Sequence, residues 1–255
     1  MDLGIAKRVA LVMGASKGIG RAAAESLARE GARVAAVSRS RDRIEAAAAE
    51  IGSATGTEVR AFSADTDLPE TMPALVQSVR DALGPVEILV VNTGGPPPGD
   101  PLSLARDQWE AAYRNLVLSP QALIEAVVPD MRARGWGRIV NVTSTSTKEP
   151  IPGLMLSNSH RMAAVGMLKT LSRELGADGI LVNSVAPGRI ATERIASMSG
   201  TPLEELRSQP QPEIPLSRLG EPHEMGDVIA FMCSERASYI TGVNLMVDGG
   251  LTRGV

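Results

Sequence analysis

Residues 9–21 constrain the fold more than any other stretch: an apolar run breaks into Gly14, Gly18 and Gly20, then continues as an alanine-rich helical segment. A buried strand, a glycine turn and a helix start therefore follow one another. Such a turn lets backbone N–H groups at a helix N-terminus approach a phosphate with no Cβ in the way, at the positive end of the helix dipole. The spacing Gly14-x-x-x-Gly18-x-Gly20 differs from the common G-x-G-x-x-G dinucleotide fingerprint. Three glycines that only tighten a strand-to-helix connection are thus a competing reading, which the rest of the chain must decide.

A chain of 255 residues, 44% hydrophobic and 22% charged, can bury one α/β core without a second domain. The formal net charge of -3 leaves no broad electrostatic footprint for nucleic acid or an anionic membrane. The single cysteine, Cys233, rules out an intramolecular disulfide, and residues 1–8 lack the apolar core of a signal peptide. Apolar runs such as residues 86–91 stop well short of the ~20 residues a membrane helix needs. A cytoplasmic protein with no membrane or nucleic-acid partner is expected, and no metal.

After the glycine turn, residues 18–30 read as a helix closed by Gly31 and residues 32–37 as a second buried strand, completing a βαβ unit. Enzymes that prefer NAD commonly carry an acid at the end of this strand for the ribose 2′-OH, whereas Ser38-Arg39-Ser40 stands here. Lys17 and Arg39 suit a 2′-phosphate instead, which favours NADP(H). Ordinary solvated charge is the alternative for both, and the preferred reading for Arg41 and Arg43.

The alternation continues without a linker: a helix that starts at Arg41 and Arg43 and continues over 44–51, strand 58–63, helix 69–83 and strand 86–91. Asp65, just past the third strand, either accepts from an adenine amino group or serves as a turn residue. The fourth strand runs into Asn92-Thr93-Gly94-Gly95-Pro96-Pro97-Pro98-Gly99, a crevice loop or a stiff surface loop. Helical spacing over residues 109–131 predicts two consecutive helices with Asn115 near their junction, where it is a site residue or a buried structural amide. Strand 137–142 then opens onto the hydroxyls of Thr143, Ser144, Thr145, Ser146 and Thr147. A helix over 157–175 and a strand over 180–186 end in Pro187-Gly188. Residues 189–215, rich in Ser, Glu, Gln and Pro, are expected to form a mobile lid over the crevice, with a disordered surface excursion as the alternative. Helix 221–233 and strand 244–247 complete the chain.

Taken together, Met13-Gly14-Ala15-Ser16-Lys17-Gly18-Ile19-Gly20, Asp65, Asn92-Thr93-Gly94, Asn115, Gly137-Arg138-Ile139-Val140-Asn141, Pro187-Gly188 with Thr192, Tyr239-Ile240-Thr241-Gly242 and Val247-Asp248-Gly249-Gly250 carry a resemblance. The chain resembles the short-chain dehydrogenase/reductase family end to end, particularly its 3-oxoacyl-carrier-protein reductases. The resemblance implies a single Rossmann-like domain: a doubly wound parallel sheet in the order 3-2-1-4-5-6-7 with helices on both faces. It implies a small carbonyl or alcohol substrate, and a homodimer or homotetramer built on the 157–175 helix and the C-terminal segment. It places Gly14, Ser16, Lys17, Gly18, Ile19 and Gly20 at the cofactor phosphates, with Ser38 and Arg39 beyond them. Asp65 would meet adenine, Asn92 and Gly94 the adenosine side, and Pro187, Gly188, Ile190 and Thr192 the nicotinamide end.

The chemistry departs from that family. Its catalytic set is Asn, Ser, Tyr and Lys, the last two in a Y-x-x-x-K helix start; Asn115 and Ser144 match, but Ser157 stands at the tyrosine position and Arg161 at the lysine position. No shift of register helps, because the only tyrosines are Tyr113 and Tyr239. A serine hydroxyl is far less acidic than a phenol, and a guanidinium that stays protonated holds ribose hydroxyls but cannot relay a proton. His160 has a suitable pKa, yet neighbouring helix positions diverge by about 100°, so a residue beside a cofactor-facing Arg161 points toward another helix or subunit. His223 reads as a surface residue at a helix start. An NADP(H)-dependent oxidoreductase with an altered catalytic set is the leading expectation, with a non-catalytic or regulatory dinucleotide-binding protein as the alternative. Halohydrin dehalogenases share the fold and carry arginine at the lysine position, but the intact glycine turn argues against them.

Overall fold

The computed structural model describes residues 1–254, which form one seven-stranded parallel sheet in the order β3-β2-β1-β4-β5-β6-β7. The strands are β1 (Val9–Met13), β2 (Arg33–Ser38), β3 (Val59–Ser63), β4 (Ile88–Val91), β5 (Gly137–Val142), β6 (Ile180–Pro187) and β7 (Asn244–Val247). Between them lie α1 (Gly18–Arg29), α2 (Arg41–Thr55), α3 (Met72–Leu83), α4 (Arg106–Tyr113), α5 (Ser119–Arg134) and α6 (Met155–Glu174). The last crossover carries α7 (Glu193–Ser199), α8 (Leu203–Ser208) and α9 (Pro222–Met232). This is the expected doubly wound architecture, and no described helix is long and apolar enough to cross a membrane.

Because strand side chains alternate, each buried strand feeds two cores. Ala10, Val12, Val34 and Ala36 point to the face covered by α1, α2 and α9, while Val9, Leu11, Met13, Ala35 and Val37 point to the face covered by α3, α5 and α6. The central strands therefore read as unbroken apolar runs. Leu11 and Ile139 are fully buried, and each contributes roughly 1.5–3 kcal/mol relative to exposure. Small residues set the spacing on the first face. Ala22 of α1 lies against α9, where a Cβ on Gly226 would sit 2.6 Å from the Ala22 carbonyl oxygen. Cys233, at the end of α9, is buried among these residues, and burial pushes its thiol up to about 12.

Helix α2 begins at Arg41, where the sequence reading places the helix start, and Arg41 pairs with Glu45 one turn on (2.8 Å). Two elements differ from the sequence reading. The two helices expected over 109–131 are one continuous rod in which a π-helical turn, Arg114–Leu118, joins α4 to α5. Pro120, which has no N–H to give, falls in the first turn after the ladder changes pitch. The segment over 189–215 is neither featureless nor an excursion, since it contains α7 and α8.

Helix α9 is closed at its N-terminus by Glu224, whose carboxylate accepts from the Glu221 amide at 2.7 Å and pairs with Arg218 at 2.8 Å. Those contacts, Arg218 first, hold the Glu224 carboxyl down to about 2 against an ordinary 4.5. A depressed carboxylate stabilises above its unfolded value and loses that contribution as pH falls toward its folded one. Glu224→Gln should therefore cost about 0.5–1 kcal/mol at pH 7, the pair being partly exposed, and urea unfolding should show the deficit narrowing between roughly pH 5 and 3. A deficit constant across that range would exclude this role.

Candidate active site

The crevice lies at the carboxyl ends of β1 and β4, where the strand order reverses. Gly14 takes a left-handed φ of 65°, and a Cβ there would lie 2.6 Å from both the backbone oxygen and the side-chain nitrogen of Asn92. A Cβ on Gly20 would run into the Gly14 carbonyl and sit 2.7 Å from the Asn92 nitrogen. The turn is thus wedged against the end of β4. Lys17 is the extended N-cap of α1 and supplies no side-chain acceptor, and the amides of Ile19 and Gly20 donate to no protein acceptor among the described residues. At Gly94 a Cβ would project into open space. An uncapped helix N-terminus facing a free crevice fits the phosphates of a dinucleotide.

The remaining residues assigned to the cofactor surround this turn. Ser16 lies within it. The Ser38 hydroxyl donates to the Ser40 carbonyl at 3.2 Å, and Arg39 projects into solvent 3.9 Å from Asp67. Asp65 accepts from the Asp67 amide at 3.0 Å, so the turn role weighed for it is the one present. Pro187 ends β6, and the Gly188 amide donates to Val247 at 3.0 Å, with Asp248 packed so close that a Cβ on Gly188 would be 2.7 Å from its Cα. Ile190 is buried and bridges to Gly220, and Thr192 brings its methyl group against Gly18.

Of the residues expected at the chemistry, Ser157 and Arg161 meet one turn apart on α6: Arg161 Nε donates to Ser157 Oγ at 3.2 Å and Nη1 to the Val142 carbonyl at 2.9 Å. Both are buried. Burial lowers the Arg161 guanidinium to about 10, and the nearby charge of Arg194 adds to that. Ser144, two residues beyond Val142, accepts from the Ser146 amide at 3.1 Å. Asn115 is held elsewhere. Sitting in the π-helical turn, it donates to Thr66 Oγ1 at 3.2 Å and to the Asp67 carboxylate, and its Oδ1 is buried without a partner. No hydrogen bond joins it to Ser144, Ser157 or Arg161 among the described residues, so its polar contacts lead to the β3 loop rather than to α6. His160 turns away from Arg161, donating Nδ1–H to the Leu156 carbonyl at 2.8 Å and packing its ring 5.5 Å from Trp109 and 6.2 Å from Tyr113. His223 is exposed in the first turn of α9.

Two residues at the crevice were not singled out in the sequence. Glu193, the first residue of α7, pairs with Lys17. Arg194 reaches across to the loop after β4 and donates to the carbonyls of Gly95 (3.1 Å) and Pro96 (3.2 Å). Nothing in the local pattern separates them from solvated charge; only the fold brings α7 over the glycine turn.

A doubly wound sheet with an open helix N-terminus at its switch point defines a Rossmann-type nucleotide-binding protein. The chain belongs to the short-chain dehydrogenase/reductase family: the family profile described as enoyl-(acyl carrier protein) reductase matches residues 14–252. It is 32% identical over 251 residues to the 3-oxoacyl-[acyl-carrier-protein] reductase FabG of Aquifex aeolicus, covering 98% of this chain and 100% of that one. It is 34% identical over 249 residues to human dehydrogenase/reductase SDR family member 4, covering 96% and 88%. Among solved structures, L-sorbose reductase from Gluconobacter frateurii, complexed with NADPH and L-sorbose, superposes with a TM-score of 0.93 at 34% identity over 100% of both chains. YwfH, an NADPH-dependent reductase involved in bacilysin biosynthesis, gives 0.91 at 28% identity, covering 98% of this chain and 100% of that one.

The close approach at the turn has a direct test. Gly20→Ala forces a methyl group into the Gly14 carbonyl, so the turn must open, and overpacking of this kind costs roughly 1–3 kcal/mol. The melting temperature should fall by several degrees. A melt indistinguishable from wild type would show that the turn has room the geometry denies.

Proposed function

We propose that the protein is an NADP(H)-dependent oxidoreductase acting on a carbonyl or alcohol with an altered catalytic set. The membership of the family supports an NAD(P)-dependent oxidoreductase; the finer reading rests on the charges around the glycine turn and on the Ser157–Arg161 pair. When bound, the nicotinamide supplies or accepts the hydride. The amides at the start of α1 hold phosphate, and Lys17 and Arg39 receive the 2′-phosphate. Asn92 and Gly94 line the adenosine side, and Pro187, Gly188, Ile190 and Thr192 the nicotinamide end. Arg161, anchored to Val142 and Ser157, holds ribose hydroxyls and orients them, while Ser144 binds the substrate oxygen. Arg161 stays protonated near neutrality even at a pKa of about 10, so it fixes geometry and does not shuttle protons. The proton comes from ordered water, since His160 is turned toward Trp109 and Tyr113.

The alternative, a nucleotide-binding protein that no longer catalyses, is favoured by one observation. Ser157 Oγ accepts from Arg161, and no phenol stands on this part of α6. Equilibrium cofactor binding alongside turnover on a carbonyl panel separates the two. We further propose a cytoplasmic protein assembled as a homodimer or homotetramer.

Two predictions follow from the charges and the missing acid. Calorimetric titration should show tighter binding of NADPH than of NADH, with Arg39→Ala costing roughly tenfold or more for NADPH and little for NADH, as a charge-assisted contact of about 1.5–3 kcal/mol requires. Equal losses for both cofactors would overturn the assignment. Separately, general acid catalysis contributes about 10² to 10⁴ in rate, so wild type should reduce simple ketones poorly. Ser157→Tyr with Arg161→Lys should raise NADPH oxidation with an activated ketone, while Arg161→Lys alone does little. Brisk wild-type turnover that the double variant slows would show that Ser157 and Arg161 form a working site of another kind.

A further inference from the structure

The crevice carries positive charge that the protein does not neutralise. Among the described residues, neither Arg161 nor Arg194 has a carboxylate within ion-pair distance. Several acids of this part of the fold are committed elsewhere: Glu193 to Lys17, Glu213 to Arg189, Asp67 to Arg39 and Asn115, and Glu149 to the amides of Arg253 and Gly254. Arg138 provides the contrast. Also buried, it lies at the opposite end of the sheet with Glu235 at 3.7 Å and the Trp136 ring at 4.3 Å. Arg161 is a buried cation without an acid, which is costly, and the charge of the more exposed Arg194 nearby adds to that cost. Desolvation and mutual repulsion both lower Arg161, and desolvation lowers Arg194.

The two arginines are not equivalent. Arg161 gives Nε and Nη1 to fixed protein acceptors, so it contributes mainly charge. Arg194 stands on α7, over the crevice, and its donors rest on the Gly95 and Pro96 carbonyls, neutral acceptors that an anion outcompetes. A guanidinium offers two parallel N–H groups, which suit a carboxylate.

We propose that Arg194, in the field of Arg161, is a specificity-determining residue that receives the carboxylate of an oxo-acid substrate, or of the hydroxy acid it interconverts with. This rests on the oxidoreductase reading. The subsite places the reacting carbonyl and the anion in the same crevice, so neutral ketones of equal size bind without their strongest contact.

The experiment compares NADPH-linked reduction of 2-oxobutanoate, 3-oxobutanoate and 4-oxopentanoate with reduction of their methyl esters, in wild type, Arg194→Gln and Arg194→Lys. Wild type should favour at least one acid over its ester by tenfold or more in kcat/KM. Arg194→Gln should lower that ratio by roughly tenfold or more, mainly through KM, and Arg194→Lys should restore part of it. Esters reduced as well as acids would overturn the proposal and leave the oxidoreductase reading intact. So would a loss of NADPH affinity in Arg194→Gln with an unchanged acid-to-ester ratio, which would assign the arginine to the cofactor pyrophosphate. Calorimetry on the NADP⁺-loaded protein with the same acids and esters makes the test independent of turnover. Arg194-dependent binding of an acid without turnover would support the subsite and sink the oxidoreductase reading, whereas no binding and no turnover would overturn both.

Discussion

The site depends on one close approach, that of the turn after β1 to the first residue after β4. Gly14 and Gly20 bring two pieces of backbone and the Asn92 side chain to within 2.7 Å of where their Cβ atoms would be. No other residue type tolerates that approach, and no other arrangement leaves the start of α1 facing the crevice without a cap. Everything that touches the crevice is positioned by strands that share this seam. β1 aligns with β4 from Ala10 opposite Ile88 to Val12 opposite Val90, and β4 aligns in turn with β5 up to Val91 opposite Asn141. The register delivers Asn92 and the Val142–Ser144 stretch to the same level. Arg161 then ties α6 to that level through the Val142 carbonyl.

The order of elements was legible because local and global signals agree. Buried parallel strands read as short apolar runs, helices between them show small or apolar residues at helical spacing, and Gly or Pro marks the ends. What was illegible depends on the third dimension. The π-helical turn at 114–118 has no sequence signature in its own residues, and it is the reason Asn115 points to Thr66 and Asp67. The contacts of Glu193 and Arg194 likewise arise only when α7 folds back over the turn. Asp65 shows the converse. Its two readings were both available in the sequence, and the Asp67 amide at 3.0 Å identifies the turn role it has in the structure.

Residues 192–194 connect these observations. Thr192 packs on Gly18, Glu193 pairs with Lys17 and Arg194 spans to the loop after β4, so three consecutive residues fasten α7 to both walls of the crevice. Each fastening is weak in the solvent-exposed setting where it occurs. Together they hold the start of α7 against the crevice. Under the cofactor reading proposed above, a 2′-phosphate would compete with Glu193 for Lys17 and with Asp67 for Arg39.

Ser157 and Arg161 are best understood as a single unit rather than as two separate losses. The guanidinium lies along α6 with Nε on the Ser157 hydroxyl and Nη1 on the Val142 carbonyl. That position exists because residue 157 is small and carries an acceptor. A ring at 157 removes the acceptor and occupies the space, whereas an amine at 161 lacks the planar fork that reaches both partners at once. The pair therefore stabilises itself against single substitution, and the two positions are expected to be non-additive, as residues sharing one hydrogen-bonded network generally are. The same rigidity has a functional consequence. An arginine fixed by two protein acceptors holds its charge in one place, so the potential it casts over the crevice is a constant of the fold, available to whatever anion the crevice admits.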